Sequence, residues 1–331
     1  MLIKFFRRAG PAEVLLIFLV AAGVWAGAFV NPHLSVVNNY DSNPMPLYGF
    51  LKMAIGEHAL YGVIFSFVLV LLMSFMVVNF NTNQFFINER TFLPGLIYIL
   101  LTGFFPSLQL LNPVLPASIF LMIAIRRIMD GYRIPGTAYN FFDASLLIGA
   151  GSLFYANLIW FQLLVVIGII LLRTGNFKEL VISLLGFLTP ALLTTGLYYA
   201  FGKSITTLPG ILYENLFSPV VQYNFSAFII AGLVVLGLII LISTVHLLSL
   251  LSSKKIKSRK TFSVLVWALV LTIVVYFALP SASVEIIWFA SIPISYILAH
   301  FLIFSKKKLI PGIIFAVFFL IIIGMQIRYL I

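Results

Sequence analysis

Long apolar runs separated by short polar breaks occupy almost the whole chain. Within each run the apolar residues are continuous rather than alternating with polar ones, so the runs predict helices and not strands. A helix needs about 20 predominantly apolar residues to cross a bilayer. The pattern predicts an all-α, polytopic transmembrane helical bundle of about eleven spans, at residues 13–30, 58–79, 92–105, 113–127, 144–155, 156–172, 180–200, 223–249, 261–279, 286–304 and 309–329.

Two stretches, 92–125 and 144–172, are short for two crossings each. One long tilted helix in each stretch would give nine spans instead. We favour eleven, because Pro106 and Pro113 bracket a predicted turn and Tyr155 with the two residues after it can form another. Short helices of this kind would be shielded by neighbouring helices rather than face the full thickness of the lipid.

Composition supports a membrane protein. The chain has 331 residues, of which 62% are hydrophobic and 9% charged, whereas a typical soluble domain has about 25% charged residues. No polar segment is long enough to fold alone, so we expect a single integral membrane domain over residues 1–331. The chain contains no cysteine, which excludes disulfides and thiolate metal sites.

The basic residues predict the orientation. The formal net charge is +11, and Lys and Arg lie in short clusters between apolar runs, as the positive-inside rule describes for cytoplasmic loops. With the N-terminus in the cytoplasm, the eleven-span topology leaves only Lys52, Lys203 and Arg328 on the outer side, and the nine-span topology would move the three arginines between 126 and 133 outside as well. Because the clusters serve as topology signals, we do not expect nucleic-acid binding.

The first outer loop, residues 31–57, holds one carboxylate near its middle, Asp41. Prolines at 44 and 46 both suit a helix start, and Gly56 can end the helix. We expect an amphipathic helix along the membrane surface, with Lys52 toward water or headgroups. The apolar residues that recur at helical spacing in this helix are Leu47, Phe50, Leu51, Ala54 and Ile55.

The remaining outer loops supply the other ionisable candidates. The second outer loop, residues 202–222, carries Lys203 and Glu214, and a short third loop ends in Glu285. The acids predicted on the outer face are Asp41, Glu57, Glu214 and Glu285, and the cations are Lys52, Lys203 and Arg328.

Few residues elsewhere in the chain are candidates for a functional site. The predicted spans hold no Asp, Glu, Lys or Arg at mid-membrane depth, and this disfavours ion-coupled transporters and proton pumps, which usually place such groups there. The four histidines have no metal-ligand spacing, and we interpret His246 and His300 as packed, hydrogen-bonded residues. The Gly149-Ala-Gly151 segment is typical of close helix packing. We therefore expect neither a metal nor a cofactor.

The outer carboxylates and cations could carry out sugar transfer. A carboxylate beside an acceptor hydroxyl can take its proton as the hydroxyl attacks a sugar. Cations at headgroup level can hold the phosphate leaving group of a lipid-linked donor. Asp41 is the candidate base, and the candidate substrate-binding residues are Lys203, Lys52 and Arg328, in that order, with Glu214 and Glu57. The structural alternative is a lid or brace in which Asp41 is a turn residue.

This layout resembles the GT-C superfamily of polytopic glycosyltransferases. The resemblance lies in a first outer loop with an acid, NYDSNPMPLYGFLKMAIGE, and in a middle segment from Glu89 to Pro190 that includes ERTFLPGLIYILLTGFFP, NPVLPASIFLMIAIRRI and FDASLLIGAGSLFY. It implies a cytoplasmic N-terminus, Asp41 as the base, and sugar donors carried on polyprenyl phosphate. The middle segment is also similar to uncharacterised inner-membrane proteins of Bacteroidota, some labelled as oxygenases, a label that the histidine spacing does not support.

The chain departs from the GT-C pattern at three places. Many relatives carry an acidic pair in the first loop, but Ser42 follows Asp41 here. Many also carry an acid at the outer start of the fourth helix, where this chain has Asn112 and Pro113. Relatives often add a soluble outer domain after the last helix, and none is visible here.

The expected function is that of an inverting glycosyltransferase in the bacterial inner (cytoplasmic) membrane. It would take a sugar from a polyprenyl-phosphate-linked donor at the outer face of the membrane. Its partners would be the lipid bilayer and the donor, with no nucleic acid. Two alternatives stay open: a lipid or solute transporter or flippase, and a non-catalytic scaffold subunit that binds another membrane protein.

Overall fold

The protein is described by a computed structural model that covers residues 10–32, 39–56, 58–132, 138–173, 177–219, 225–306 and 309–330. This part of the chain is all-helical and contains no strand. Its α-helices are α1 (Pro11–Val30), α2 (Asn39–Ser42), α3 (Pro46–Ile55), α4 (Ala59–Gln84), α5 (Leu93–Thr102), α6 (Val114–Asp130), α7 (Ala138–Ser152), α8 (Gln162–Arg173), α9 (Phe177–Ala200), α10 (Thr207–Phe217), α11 (Ala227–Leu250), α12 (Ile256–Ala278), α13 (Ile287–Phe304) and α14 (Leu309–Leu330).

Within the described residues, seven helices are long and apolar enough to cross a membrane: α1, α4, α9, α11, α12, α13 and α14. These seven helices give the chain the features of a multi-pass membrane protein. The other apolar runs also form helices, but these are shorter: α5, α6, α7, and α8 with the 3₁₀ turn Ala156–Phe161 before it.

The chain is interrupted at the two predicted turns. α5 ends at Thr102 and α6 begins at Val114, with a 3₁₀ turn at Pro106–Leu108 between them. α7 ends at Ser152, and the next helical segment begins at Ala156. Neither stretch therefore forms the one continuous helix that the nine-span alternative assumes. Helix-breaking Pro106 and Pro113 supply the physical reason for the first interruption.

The core of the bundle is formed by α13 and α5. Within Val284–Phe304, the span that contains α13, 94% of the most apolar membrane-length stretch is buried inside the protein. All ten residues of α5 are buried as well. A ten-residue helix is about 15 Å long, half the thickness of a bilayer core. Complete burial against neighbouring helices is the environment that the sequence predicted for such a short helix.

Two glycines let α7 and α9 approach closely. A Cβ on Gly149 would lie 2.5 Å from the carbonyl oxygen of Phe187, and one on Gly186 would meet the carbonyl oxygen of Phe142 at a similar separation. Because a Cβ has no room at either position, the helix backbones themselves are in contact. The prediction that Gly149 serves close helix packing is confirmed.

The loops that the predicted topology assigns to one side meet at one end of the bundle. The Leu47 amide donates to the Leu153 carbonyl at 3.0 Å. The Asn157 side chain donates to the Ser281 carbonyl at 3.1 Å, and the Ser281 hydroxyl donates to the Leu216 carbonyl at 2.6 Å. These bonds join four separate interhelical connections, and we call this the Asp41 end.

The opposite end is joined in the same way, and we call it the Lys254 end. The Gln84 side chain, at the end of α4, donates to Asp130 Oδ1 at 2.9 Å. Lys260 donates to the Leu171 carbonyl at 2.6 Å, which links α12 to α8. The helices thus run between two distinct polar ends, as alternating passage of the chain requires.

Candidate functional site

Asp41 lies on the short helix α2, and the segment after it is anchored on the bundle. Met45 is 1% exposed and packs in a small apolar cluster with Leu153, Leu208 and Leu216. Pro46 then opens α3, and Gly56 ends it with a positive φ of 75°, a conformation that favours glycine. The loop therefore holds Asp41 at a defined place against α7 and α10 rather than leaving it in solvent.

The Asp41 carboxylate forms an ion pair with Lys52. Lys52 Nζ lies 3.0 Å from Asp41 Oδ1 and 3.4 Å from the Asp41 carbonyl oxygen. The Asp41 side chain is 8% exposed, and the Lys52 side chain is 38% exposed. The expectation that Lys52 points to water or headgroups is therefore wrong in part, because α3 turns this residue toward the carboxylate.

Tyr48 lies on the same face of α3 as Lys52 and also contacts Asp41. It lies one helical turn before Lys52, so both side chains point the same way. Its hydroxyl donates to Asp41 Oδ1 at 3.4 Å and lies 3.5 Å from the Leu111 carbonyl oxygen. Burial, reinforced by the charges of Asp41 and Glu285, raises the pKa of Tyr48 well above its ordinary value. The phenol thus stays protonated and acts as a donor.

A second buried acid, Glu285, is tied to the same loop. The Tyr40 hydroxyl donates to Glu285 Oε1 at 2.7 Å, and both residues are buried, at 5% and 2% exposure. Tyr40 and Tyr48 stack edge to face, with ring centroids 6.1 Å apart. We call Tyr40, Asp41, Tyr48, Lys52 and Glu285 the Asp41 cluster.

Sequence reasoning named Glu285 as an outer-face acid but assigned it no role, and it missed both tyrosines. The available signals were the position of Tyr40 directly before Asp41 and the four-residue spacing between Tyr48 and Lys52. Nothing in the sequence spacing connects Tyr40 with Glu285, because the two residues are 245 positions apart.

Helix α10, in the second outer loop, packs on the segment that follows Asp41. The Asn43 side chain donates to Glu214 Oε2. The Asn215 side chain donates to the Asn43 carbonyl at 2.8 Å. Glu214 is therefore brought next to the first outer loop, as a substrate-binding candidate would need to be.

Two predicted cations lie elsewhere. Lys203 is exposed, with Nζ 4.8 Å from the centre of the Tyr198 ring. Arg328 is exposed as well, with Cζ 5.3 Å from the centre of the Phe228 ring. In the described part of the chain, neither makes a hydrogen bond or an ion pair with Asp41. Glu57 lies outside the described residues.

The Asp41 cluster offers a carboxylate, an ammonium group and phenolic donors within one small region. Across the described ranges, no group of three or more His, Cys, Asp or Glu side chains could hold a metal ion. The cluster's own groups can accept a proton, donate hydrogen bonds and bind an anion. These are the elementary steps of group transfer from a phosphate leaving group.

The chain was compared with models of known protein families, with characterised proteins and with solved structures, and none of them matched. The resemblance to the GT-C superfamily therefore stays an expectation drawn from the sequence. Function has to be inferred from the chemistry of the Asp41 cluster and from its position at the end of a helical membrane bundle.

Proposed function

We propose that this protein is a multi-pass glycosyltransferase of the bacterial inner membrane. It would transfer a sugar from a polyprenyl-phosphate-linked donor at the outer face, with Asp41 as the general base. The observation that supports this most strongly is the 3.0 Å contact between Asp41 Oδ1 and Lys52 Nζ. A carboxylate that could accept a proton thus lies beside an ammonium group that could bind a phosphate, at the end of the bundle where four loops converge.

Asp41 would remove the proton from the acceptor hydroxyl. As that oxygen bonds to the anomeric carbon, the bond from this carbon to the donor's phosphate oxygen breaks. The bonding electron pair leaves on the phosphate, and the configuration of the sugar inverts. A base must lie within about 3 Å of the hydroxyl that it deprotonates. Burial of Asp41 and its contacts with Tyr48 and Lys52 would hold the carboxylate in one orientation for this step.

Lys52 would stabilise the departing phosphate. An ammonium group has three N–H donors, and the Lys52 side chain is partly exposed, so a phosphate oxygen can approach it beside Asp41. Fixed charge aimed at the leaving group lowers the barrier, since the group becomes more negative in the transition state. Lys52 thus replaces Lys203 as the first phosphate-binding candidate, and Lys203 and Arg328 become candidates at headgroup level.

The outward surface of α3 suits a lipid-borne donor. Phe50 is 71% exposed and Met53 is 84% exposed, whereas Tyr48 and Lys52 on the other face point to Asp41. Large apolar side chains on one face of a short helix insert readily into the interface of a bilayer. On this proposal α3 lies at the membrane surface and separates the lipid from the reactive carboxylate.

The direct test removes the charge of Asp41 and keeps its shape. In cells that depend on the wild-type gene product, Asp41→Asn should abolish one glycoconjugate and raise the level of one polyprenyl-phosphate sugar, both measured by mass spectrometry of lipid extracts. The matched control is Asp143→Asn. Asp143 also forms an ion pair, 3.6 Å from Arg127, but its side chain is 42% exposed and it lies at the Lys254 end.

Of the two variants, only Asp41→Asn should change the lipid and glycoconjugate profiles, with both variants present in the membrane at the same level. Unchanged lipid and glycoconjugate profiles would refute the proposal. Donor that accumulates specifically in the cytoplasmic leaflet would indicate a flippase instead. Loss of a partner membrane protein, with no change in any lipid-linked sugar, would indicate a scaffold.

A further inference from the structure

A groove of about 670 Å³ lies at the Lys254 end, on the surface formed by α11, α13 and α14. Most of its wall is apolar, and a few polar residues line it as well. The lining residues are Leu241, Ile242, Val245, His246, Ser249, Leu250, Phe301, Phe304, Ser305, Lys306 and Ile310. The groove begins on membrane-length helices and reaches the polar connection between α13 and α14, so it extends from the hydrocarbon level to the headgroup level.

The polar rim of the groove is basic. Lys306 lines it directly and is exposed. Lys254 holds its Nζ 3.7 Å from the centre of the Phe304 ring, and Phe304 is itself part of the wall. Ser249 and Ser305 add hydroxyl groups at the same level. An apolar groove with one ammonium group in its wall and a second against the wall residue Phe304 is complementary to an anionic headgroup on an acyl chain.

Two histidines add hydrogen-bonding capacity that described protein groups do not use. His246 in the groove wall and the fully buried His300 approach with ring centroids 6.1 Å apart. Among the described residues, neither ring nitrogen of His300 has a hydrogen-bond partner, nor has Nδ1 of His246. Buried polar groups without partners are rare, because their desolvation is not compensated. Of the two, His246 lines the groove and is the one that a ligand there can approach.

From the sequence we interpreted these histidines as packed, hydrogen-bonded residues. The hydrogen-bonding part is wrong for both ring nitrogens of His300 and for Nδ1 of His246, which have no partner among the described residues. The structure instead brings them together from α11 and α13, 54 positions apart in the chain. Their spacing gave no hint of this, since the pair is created by helix packing. Two imidazoles alone are too few to form a zinc site, which takes at least three protein ligands.

We propose that this groove binds one anionic glycerophospholipid. An acyl chain would lie along Leu241, Val245 and Phe301, and the phosphate would lie between Lys254 and Lys306. The imidazole of His246 can donate a hydrogen bond to a phosphate oxygen. On the proposed orientation this is the cytoplasmic leaflet, where anionic headgroups attract basic residues. The site is independent of the glycosyltransferase proposal, since it lies at the other end of the bundle.

The test uses photolabelling by lipids. Purified full-length protein is placed in phosphatidylcholine vesicles that contain a small fraction of phosphatidylglycerol with a diazirine in one acyl chain. After illumination, labelled peptides are mapped by mass spectrometry. We expect label on residues 241–250 and 301–310, about tenfold more from this probe than from the matching phosphatidylcholine probe, because each nearby lysine favours the anionic headgroup.

Two double variants distinguish a specific lipid-binding site from attraction by general surface charge. The double variant Lys254→Gln, Lys306→Gln should lower phosphatidylglycerol labelling of the groove to the phosphatidylcholine level. The control Lys257→Gln, Arg259→Gln removes the same charge from exposed positions of the same basic region and should leave the labelling unchanged. Equal labelling by both probes, or an equal loss in the control, would overturn the proposal. Tryptophan fluorescence checks that each variant is folded.

Discussion

The hydrogen bond between Tyr40 and Glu285 is the contact that fixes the first outer loop to the start of α13. Tyr40→Phe removes only the hydroxyl that donates to Glu285 Oε1 at 2.7 Å. The phenyl ring stays in place against Tyr48, so the change leaves the packing intact. We expect loss of the Tyr40 hydroxyl to lower the stability of the protein, because this hydroxyl donates to a buried carboxyl oxygen.

The magnitude follows from the burial of both partners. An intramolecular hydrogen bond contributes about 1 kcal/mol net to stability, and one to a charged group about 1.5–3 kcal/mol. Tyr40 and Glu285 are 5% and 2% exposed, so water cannot readily replace the lost donor. We therefore predict that Tyr40→Phe lowers the free energy of unfolding by about 1–3 kcal/mol.

The assay is equilibrium unfolding in mixed micelles, followed by the fluorescence of the four tryptophans. A double-mutant cycle with Glu285→Leu isolates the interaction from other effects of each change. The control is Tyr213→Phe, at a phenol that is 66% exposed, where removal of the hydroxyl should cost less than about 0.5 kcal/mol.

A coupling energy below about 0.5 kcal/mol in this cycle would be within the additivity expected for independent sites. The same result together with a normal unfolding free energy for Tyr40→Phe would show that this hydrogen bond does not stabilise the loop. It would mean that the other contacts of the loop hold it in place and that Tyr40 does not position Asp41.

Two further predictions concern packing and topology. Gly149→Ala places a Cβ 2.5 Å from the Phe187 carbonyl oxygen, so α7 and α9 must separate, and the unfolding free energy should fall by about 1–3 kcal/mol. Because the chain has no cysteine, Ser204→Cys and Ser252→Cys each introduce a single thiol at an exposed position. In intact cells a membrane-impermeant maleimide should label the first variant and not the second.

Both predictions have internal controls. Gly237→Ala on α11 meets no atom within 4 Å, so the added methyl group should be neutral or stabilise the protein by up to about 1 kcal/mol. Equal effects of both substitutions would contradict close packing at Gly149. For topology, permeabilised cells should label both cysteine variants. Labelling of Ser252→Cys alone in intact cells would reverse the proposed orientation and move Asp41 to the cytoplasm.

The helices could be predicted from the sequence because continuous apolar runs between polar breaks have few alternatives in a membrane protein. The interruption near Pro106 could be predicted from the prolines at 106 and 113, and the one near Tyr155 from the turn-forming residues there. The sequence does not predict which helix lies at the centre of the bundle. A helix surrounded by protein and one surrounded by lipid can both be apolar on all sides. The mean hydropathies of the α13 and α9 spans are accordingly similar, at 2.0 and 1.9, although 94% of the first and 17% of the second is buried.

The Asp41 cluster could be predicted only in part. Asp41 could be found because it is an isolated carboxylate in a long polar loop. The partnership with Lys52 depends on the rotation of α3 about its axis, and apolar residues on several sides of that helix do not specify the rotation. Phe50 and Met53 point outward although they are as apolar as the buried Met45. The contact with Glu285 joins distant segments that only the packed bundle brings together.

On the proposed function, Asp41 catalyses release of polyprenyl phosphate as the sugar passes from its lipid carrier to the acceptor. The most direct measurement uses purified protein in vesicles made with the lipid-linked sugars and the glycoconjugate acceptors of the native membrane, and it follows free polyprenyl phosphate by mass spectrometry. We predict release by the wild-type protein and by Asp143→Asn, and loss of at least about 100-fold with Asp41→Asn, since general acid–base catalysis contributes about 10²–10⁴-fold. Equal rates for wild type and Asp41→Asn would contradict the account.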